Sequence, residues 1–303
     1  MPVTAPPLAG RYTLRRLDLD DTEAVVAVEL AAFDDLVARL SMPPWSRTEV
    51  GERKRRLAVT NRHVIDTDPE GCWCAVIDDA VVGVVRAIRR NTLWGLGMLA
   101  VSPAHQGSGI GRSLLDQALT YASGCAGGLI SSSPDPHALR AYMTAGFALH
   151  PCASAEGRVE RGRIPVGLDV RDDLEPDLDL VDDVDQHVRG GASHRPDIAA
   201  MIDSGGRFLK ADGRTGRGYA IVDNGPRLLA ATSPEVAQRL LWSAIAHTAA
   251  DAECTIHSLD GQQQWALDVV MRARLPVIPY VHGLMVRGDP GRLTPYLASG
   301  SFL

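Results

Sequence analysis

The run Gln106-Gly107-Ser108-Gly109-Ile110-Gly111-Arg112 lies between an apolar strand-like segment and an amphipathic helical one. The start of a helix leaves backbone N–H groups without intrahelical acceptors, and the aligned peptide dipoles make that end partly positive. Glycines let the main chain curl round an anion with no Cβ in the way. Together these features predict a cradle for a diphosphate, with Arg112 adding charge. Spacing excludes two other diphosphate loops. A dinucleotide fingerprint needs G-x-G-x-x-G, but the sixth position from Gly107 is Arg112, and from Gly109 the third glycine comes too early. No strand-borne acid follows about 20 residues on to take a ribose. The G-K-[ST] of a nucleotide P-loop is missing as well.

Other chemistries find little support. The nine histidines are scattered without an H-E-x-x-H or similar cluster, so no metal is expected. No G-x-S-x-G nucleophile elbow occurs. Of the five cysteines, Cys72 and Cys74 share one strand face at a spacing too close for zinc-type C-x-x-C geometry, and they read as small core residues. An odd cysteine count without metal-ligand spacing points to a reducing, cytoplasmic setting.

The elements that position the loop follow from periodicity. Tyr12 to Leu17 reads as a strand, with helical patterns from about Thr22 to Phe33 and from about Ser46 to Val59. Cys72 to Ile77 and Val81 to Ile88 bracket Asp78-Asp79-Ala80 as a hairpin. Leu93 to Val101 is a nearly unbroken apolar strand, expected to be central and covered on both faces. Ile110, Leu114, Leu115, Ala118, Leu119 and Ala122 line one face of the helix after the loop. Gly128 to Ser132 is the next strand. His137 to Ala145 is the next helix, with Asp135 placed to cap it, Pro136 in its first turn and Gly146 ending it.

Nine acidic residues between Asp169 and Asp185 accompany few large apolar ones, which reads as a solvated linker. Beyond it the order hairpin, strand, helix, strand, helix recurs. Arg207 to Lys210 and Gly218 to Val222 bracket a turn-rich segment. Ala231-Thr232-Ser233-Pro234 matches Ala100-Val101-Ser102-Pro103, and Leu240-Leu241 matches Leu114-Leu115. The expected organisation is a disordered lead over 1–10, a first domain over 11–160, the acidic linker over 161–185 and a second domain over 186–303.

The loop pattern Q-x-x-G-x-G, the V-x-P element before it and Tyr142-Met143-Thr144-Ala145-Gly146-Phe147 after it resemble the acetyl-CoA pyrophosphate loop and later helix of the GNAT acetyltransferase superfamily. The resemblance covers about residues 10 to 155 and extends more faintly over the second half. It implies an α+β fold of two GNAT-like domains, each a mixed, mostly antiparallel splayed sheet flanked by helices. It also implies a tandem-domain acyltransferase using acetyl-CoA as co-substrate. Residues Gln106, Gly107, Ser108, Gly109, Ile110, Gly111 and Arg112 would hold the diphosphate. The main chains of Leu99, Ala100 and Val101 would pair with the pantetheine arm, though Leu99 and Val101 are core residues on the plainer reading. Tyr142 would protonate the departing thiolate; its plainer role is to pack its helix on the sheet beside Ala138. From the free pKa values of phenol and thiol, that proton transfer is uphill by roughly 2 kcal/mol.

The general base is harder to find. The strand Leu93 to Val101 carries no carboxylate, a departure from many relatives. Glu29, Asp34 and Asp35 lie near the usual acceptor position but read as surface charges. The carboxylate at Leu303 is a further candidate if Tyr296 to Leu303 folds back into the cleft. Trp45 could wall the acceptor or fill a satellite core. Asp185, Arg189, His194 and Asp197 could line a pocket in the second repeat or form a structural network.

The second repeat lacks the cradle. Ser102 to Leu114 spans 12 positions and Ser233 to Leu240 spans 7, with Glu235 near the helix start and Val270 opposite Tyr142. It reads as a degenerate copy that packs on the first and shapes the acceptor cleft. The chain has 303 residues, 45% of them apolar, with net charge -6, which suits a soluble globular protein and argues against nucleic-acid binding. The cluster Arg53-Lys54-Arg55-Arg56 reads as a solvated helix face. No stretch approaches the roughly 20 apolar residues of a membrane span. The acceptor would be a small-molecule or protein amine, and acyl length and a homodimer stay open. The alternative to an enzyme is a non-catalytic acyl-CoA-binding sensor.

Overall fold

The computed structural model describes residues 12–40 and 47–303, and Trp45 lies outside them. Two compact units emerge. One comprises the chain through Arg89 plus Leu96–Ser123; the other comprises Arg90–Gly95 plus Gly124–Leu303.

The first unit begins with β1 (Thr13–Arg16), then α1 (Thr22–Arg39) and α2 (Arg47–Thr67). Strands β2 (Cys72–Ile77), β3 (Ala80–Arg90) and β4 (Leu93–Val101) follow, then α3 (Ile110–Thr120). Both helices before β2 run further than the sequence pattern indicated. The sheet order is β1-β2-β3-β4. β2 is antiparallel to β1 and to β3, and Cys72 stands opposite Arg86. The expected hairpin turns at Asp78 and Asp79, with φ of +47° and +63°. Such left-handed pairs match the twist of the flanking strands, and aspartate tolerates them. At Gly83 a Cβ would stand 2.9 Å from the Ile110 Cγ2, so only glycine lets α3 approach the sheet this closely. Cys72 and Cys74 are fully buried, and burial pushes their thiols up to about 12 and about 11.

The second unit holds β5 (Gly127–Ser132), α4 (Pro136–Thr144), β6 (Ala148–Gly157), β7 (Arg171–Asp172), α5 (Leu178–Arg189) and α6 (Ile198–Asp203). It continues with β8 (Arg207–Gly213), β9 (Gly216–Asp223), β10 (Gly225–Ala231) and α7 (Pro234–His247). β11 (Cys254–Leu259), α8 (Gln264–Ala273), β12 (Val277–Gly288) and β13 (Tyr296–Leu297) complete it. Asp135 caps α4 by accepting from the His137 N–H, as expected.

Its strands fall into the orders β5-β12-β6-β11 and β13-β10-β9-β8-β7. The anticipated repeat is present: β2–β3, β4, α3, β5, α4 is echoed by β8–β9, β10, α7, β11, α8. The closing strands are exchanged between repeats. β12 follows the second repeat's last helix yet lies between β5 and β6 of the first, and β6 lies between β12 and β11. The core joins Leu209, Val222, Leu229, Leu240, Leu241, Ile256, Trp265 and Val270.

The acidic stretch is more structured than a solvated linker. It supplies β7 and most of α5. Asp173 and Asp177 reach Lys210 at 2.8 and 3.3 Å, Asp182 reaches Arg195 at 2.6 Å, and Asp183 pairs with Arg217.

Candidate functional site

In the first unit β4 ends at Val101 and the chain makes one 3-10 turn, Pro103–His105, before α3. The Ser102 N–H donates to the Val82 carbonyl at 2.8 Å, pinning the turn to β3. The Gln106 Nε2 donates to the Val101 carbonyl at 3.1 Å, and the Ser108 hydroxyl donates to the His105 carbonyl at 2.5 Å. Gly107 and Gly109 take φ of +74° and +89°, with Gly109 as the N-cap. A Cβ at either would meet nothing within 4 Å. The glycines therefore serve backbone conformation and leave the space above them clear.

Ile110 is buried and anchors the helix start. The N–H groups of Ile110, Gly111 and Arg112 lie in the first turn, where a helix supplies no acceptor. The Arg112 side chain is 80% exposed, with Asp116 at 4.0 Å. β4, expected to be covered on both faces, is fully buried from Leu93 to Leu96 but half-exposed from Gly97 to Leu99 and again at Val101, with Ala100 buried between.

Tyr142 sits in α4 of the second unit and is buried. Its hydroxyl has no hydrogen-bond partner among the described residues. Burial raises its pKa well above the usual tyrosine value, with a smaller push from Asp135.

The candidate bases read from sequence need correction. Glu29 is not a surface charge: it is fully buried, as are its partners. The Arg86 Nη2 donates to its Oε1 at 2.9 Å, and the Asn61 Nδ2 donates to its Oε2 at 2.9 Å. A carboxylate held at both oxygens inside the core is not placed to take a substrate proton. Asp34 is exposed, and Asp35 pairs with Arg39 at 2.8 Å. The segment to Leu303 does fold back, but within the second unit. Leu303 is buried there, and its main-chain oxygen accepts from Arg189. The partner of Glu29, 57 residues away on β3, left no mark in local sequence.

Asp185, Arg189, His194 and Asp197 are buried as a structural network, not a pocket. The His194 Nδ1 lies 2.8 Å from the Tyr219 hydroxyl, which donates to Asp185 at 2.8 Å. Asp197 takes two hydrogen bonds from Arg90 at 2.8 and 2.5 Å. Burial, with Arg189 nearby, lowers the pKa of His194 despite Asp185.

In the second repeat β10 runs almost directly into α7. The Ser233 side chain caps the helix from the Val236 N–H, Glu235 sits in the first turn, and Val270 is buried where the first repeat has Tyr142. Among the described residues, no set of three or more histidine, cysteine, aspartate or glutamate side chains is placed to hold a metal, and no helix is long and apolar enough to cross a membrane.

Residues 31–147 match the acetyltransferase (GNAT) family. Among curated proteins none matches the sequence. Of solved structures, an acetyltransferase-assigned protein from Pyrococcus horikoshii is similar over 97% of this chain and 95% of its own, at TM-score 0.75 and 18% identity. A GCN5-related N-acetyltransferase from Kribbella flavida matches 91% of this chain and 72% of its own, at TM-score 0.54 and 15% identity. A tandem GNAT protein from the clavulanic acid biosynthesis pathway matches 91% and 98%, at TM-score 0.52 and 14% identity. Identities this low carry the fold alone. The glycine loop and its helix lie inside the segment that matches the GNAT acetyltransferase family, and over most of its length the chain has the fold of a tandem GNAT protein.

Proposed function

We propose that the chain transfers an acetyl group from acetyl-CoA directly to a primary amine in a ternary complex. The first repeat is the working half, and the second is a degenerate partner that carries no second site. The observation behind this is the cradle itself: two left-handed glycines at a helix start, with open space where their Cβ atoms would stand.

Gln106 to Arg112 would hold the paired phosphates, and the main chains of Leu99, Ala100 and Val101 would pair with the pantetheine arm. Acetyl-CoA, when bound, supplies a thioester carbon. The amine nitrogen forms its C–N bond as the C–S bond breaks, and the ammonium loses two protons overall. One reaches the thiolate by way of Tyr142, and one goes to solvent. The burial that raises the Tyr142 pKa would also destabilise a thiolate beside it, so the donation need not be steeper than in water. Freeing the amine costs roughly 4 to 5 kcal/mol at neutral pH, so a proton acceptor or a water chain is required.

Calorimetry with CoA tests the reading. Gly109→Val forces a β-branched residue to φ +89° and sets its side chain where the phosphates would lie, so affinity should fall on the order of 100-fold. Unchanged affinity would sink it. The lock on Glu29 favours a second reading, an acyl-CoA sensor without turnover. Thiol release from acetyl-CoA in the presence of amines separates the two.

A further inference from the structure

Two bulges face each other across one point of β6. In β11 an extra residue stands between Ile256, opposite Ala155, and Leu259, opposite Ala153. In β12 a larger one stands between Ile278, opposite Ser154, and His282, opposite Cys152. Ser258 and Tyr280, one in each bulge, take φ of +63° and +51°. Non-glycine residues rarely adopt that backbone, and bulges of this kind re-aim side chains.

The bulges bring together two imidazoles. The rings of His257 and His282 meet edge to face, centroids 5.7 Å apart and planes at 90°. Each has a serine hydroxyl on one nitrogen: Ser154 Oγ is 2.9 Å from the His257 Nδ1, and Ser258 Oγ is 3.5 Å from the His282 Nε2. The other two nitrogens, His257 Nε2 and His282 Nδ1, have no partner among the described residues. Protein packed around the rings disfavours the charged form of both and, with His257 alongside, brings His282 down to about 4, while His257 keeps an exposed face and His282 is half-buried. Asp260, two residues from the β11 bulge, turns its Oδ1 to the Gln262 N–H at 2.9 Å.

The surroundings suit an acceptor. Val277, Ile278 and Tyr280 expose large apolar side chains next to the pair. Gly283 stands opposite Ser132, the last residue of β5, so His282 lies one residue beyond the end of the strand that leads into α4 and Tyr142.

We propose that His257 and His282 are the positioning residues of the acceptor site, pinning the two N–H bonds of a neutral primary amine borne on an apolar body. This rests on the acetyl-transfer reading above. With the His257 Nδ1–H donating to Ser154 and the His282 Nε2–H aimed at Ser258, the remaining ring nitrogens only accept. A neutral primary amine has two N–H bonds and one lone pair. Two acceptors engage the N–H bonds and leave the lone pair for the acyl carbon.

The test uses the full chain, 15N-labelled and saturated with CoA, with 2-phenylethylamine as probe. Long-range 15N–1H spectra, assigned with His257→Gln and His282→Gln, should show two neutral rings in the stated tautomers. The His257 Nε2 and His282 Nδ1 signals should move as the amine is added. With acetyl-CoA, either variant should raise the KM for the amine about tenfold while the acetyl-CoA KM moves little. The opposite tautomers, or rings that ignore the amine while CoA is bound, overturn the proposal and leave acetyl transfer standing. Failure of CoA itself to bind defeats the reading beneath it, and the proposal with it.

Discussion

Between β4 and α3 the chain spends eight residues, Ser102 to Gly109; between β10 and α7 it spends two, Thr232 and Ser233. In the longer turn the first helical amides face open space over two left-handed glycines. In the shorter one Ser233 takes the Val236 N–H, Pro234 has no N–H to offer, and Glu235 brings a negative charge to the positive end. The two strands also differ in exposure. β4 has a half-exposed run at Gly97 to Leu99. At the matching stretch of β10, Leu229 and Ala230 are paired with Leu297 and Tyr296 of β13, and the Ala231 N–H donates to the Pro295 carbonyl at 3.2 Å. At the helix start the second repeat satisfies with its own chain the groups that the first, on the proposed reading, keeps for the cofactor. A cofactor site, on this comparison, is a piece of secondary structure left unfinished.

The sharpest way to break the contrast is Tyr142→Phe. If Tyr142 is the acid, kcat should fall at least about 100-fold with CoA affinity kept, as befits loss of a positioned proton donor. A variant with wild-type turnover would reduce Tyr142 to packing, like Val270 in the second repeat. Next in size is Arg86→Leu. Both repeats bury an acid of their first helix against their third strand, Glu29 on Arg86 and Asp185 on Tyr219. Stranding Glu29 should cost about 3–5 kcal/mol in denaturant unfolding, because an uncompensated buried charge remains. A loss below about 1 kcal/mol would show that the pair is not isolated from water.

Acid should weaken the second unit through His282. Its folded pKa, about 4, lies below the free value of 6.5. The unfolded chain therefore binds the proton first, and stability present above about pH 6.5 is lost as pH falls toward 4. The acid slope of Tm should shrink in His282→Gln; an unchanged slope assigns it to other groups. The smallest effect is Ser233→Ala, which removes a helix cap at about 1 kcal/mol. CoA binding should not change, with one molecule bound per chain throughout. A second equivalent would end the view of the later repeat as closed.

How much of this was legible in sequence follows the range of the interactions. Gly107 and Gly109, the Asp78-Asp79 turn and the Asp135 cap are local, and their positions in the structure follow from residue type and backbone preference. The echo of Ala100-Val101-Ser102-Pro103 in Ala231-Thr232-Ser233-Pro234 gave the order of the repeat. The burial of Glu29 was not legible, since Arg86 and Asn61 lie 57 and 32 residues away. Nor was β13, whose two residues carry no periodicity. The histidine pair escaped for the same reason: His257 and His282 are joined only by strand register and two bulges.

The exchange of β6 and β12 has a consequence for the history of the chain. A duplicated gene can usually be cut back to one copy, because each copy closes its own sheet. Here each copy lends its last strand to the other, so a fragment ending before the acidic stretch would leave β5 without β12 and β6 without either flank. Once interleaved in this way, the worn repeat can shed every trace of chemistry and still be indispensable to its twin.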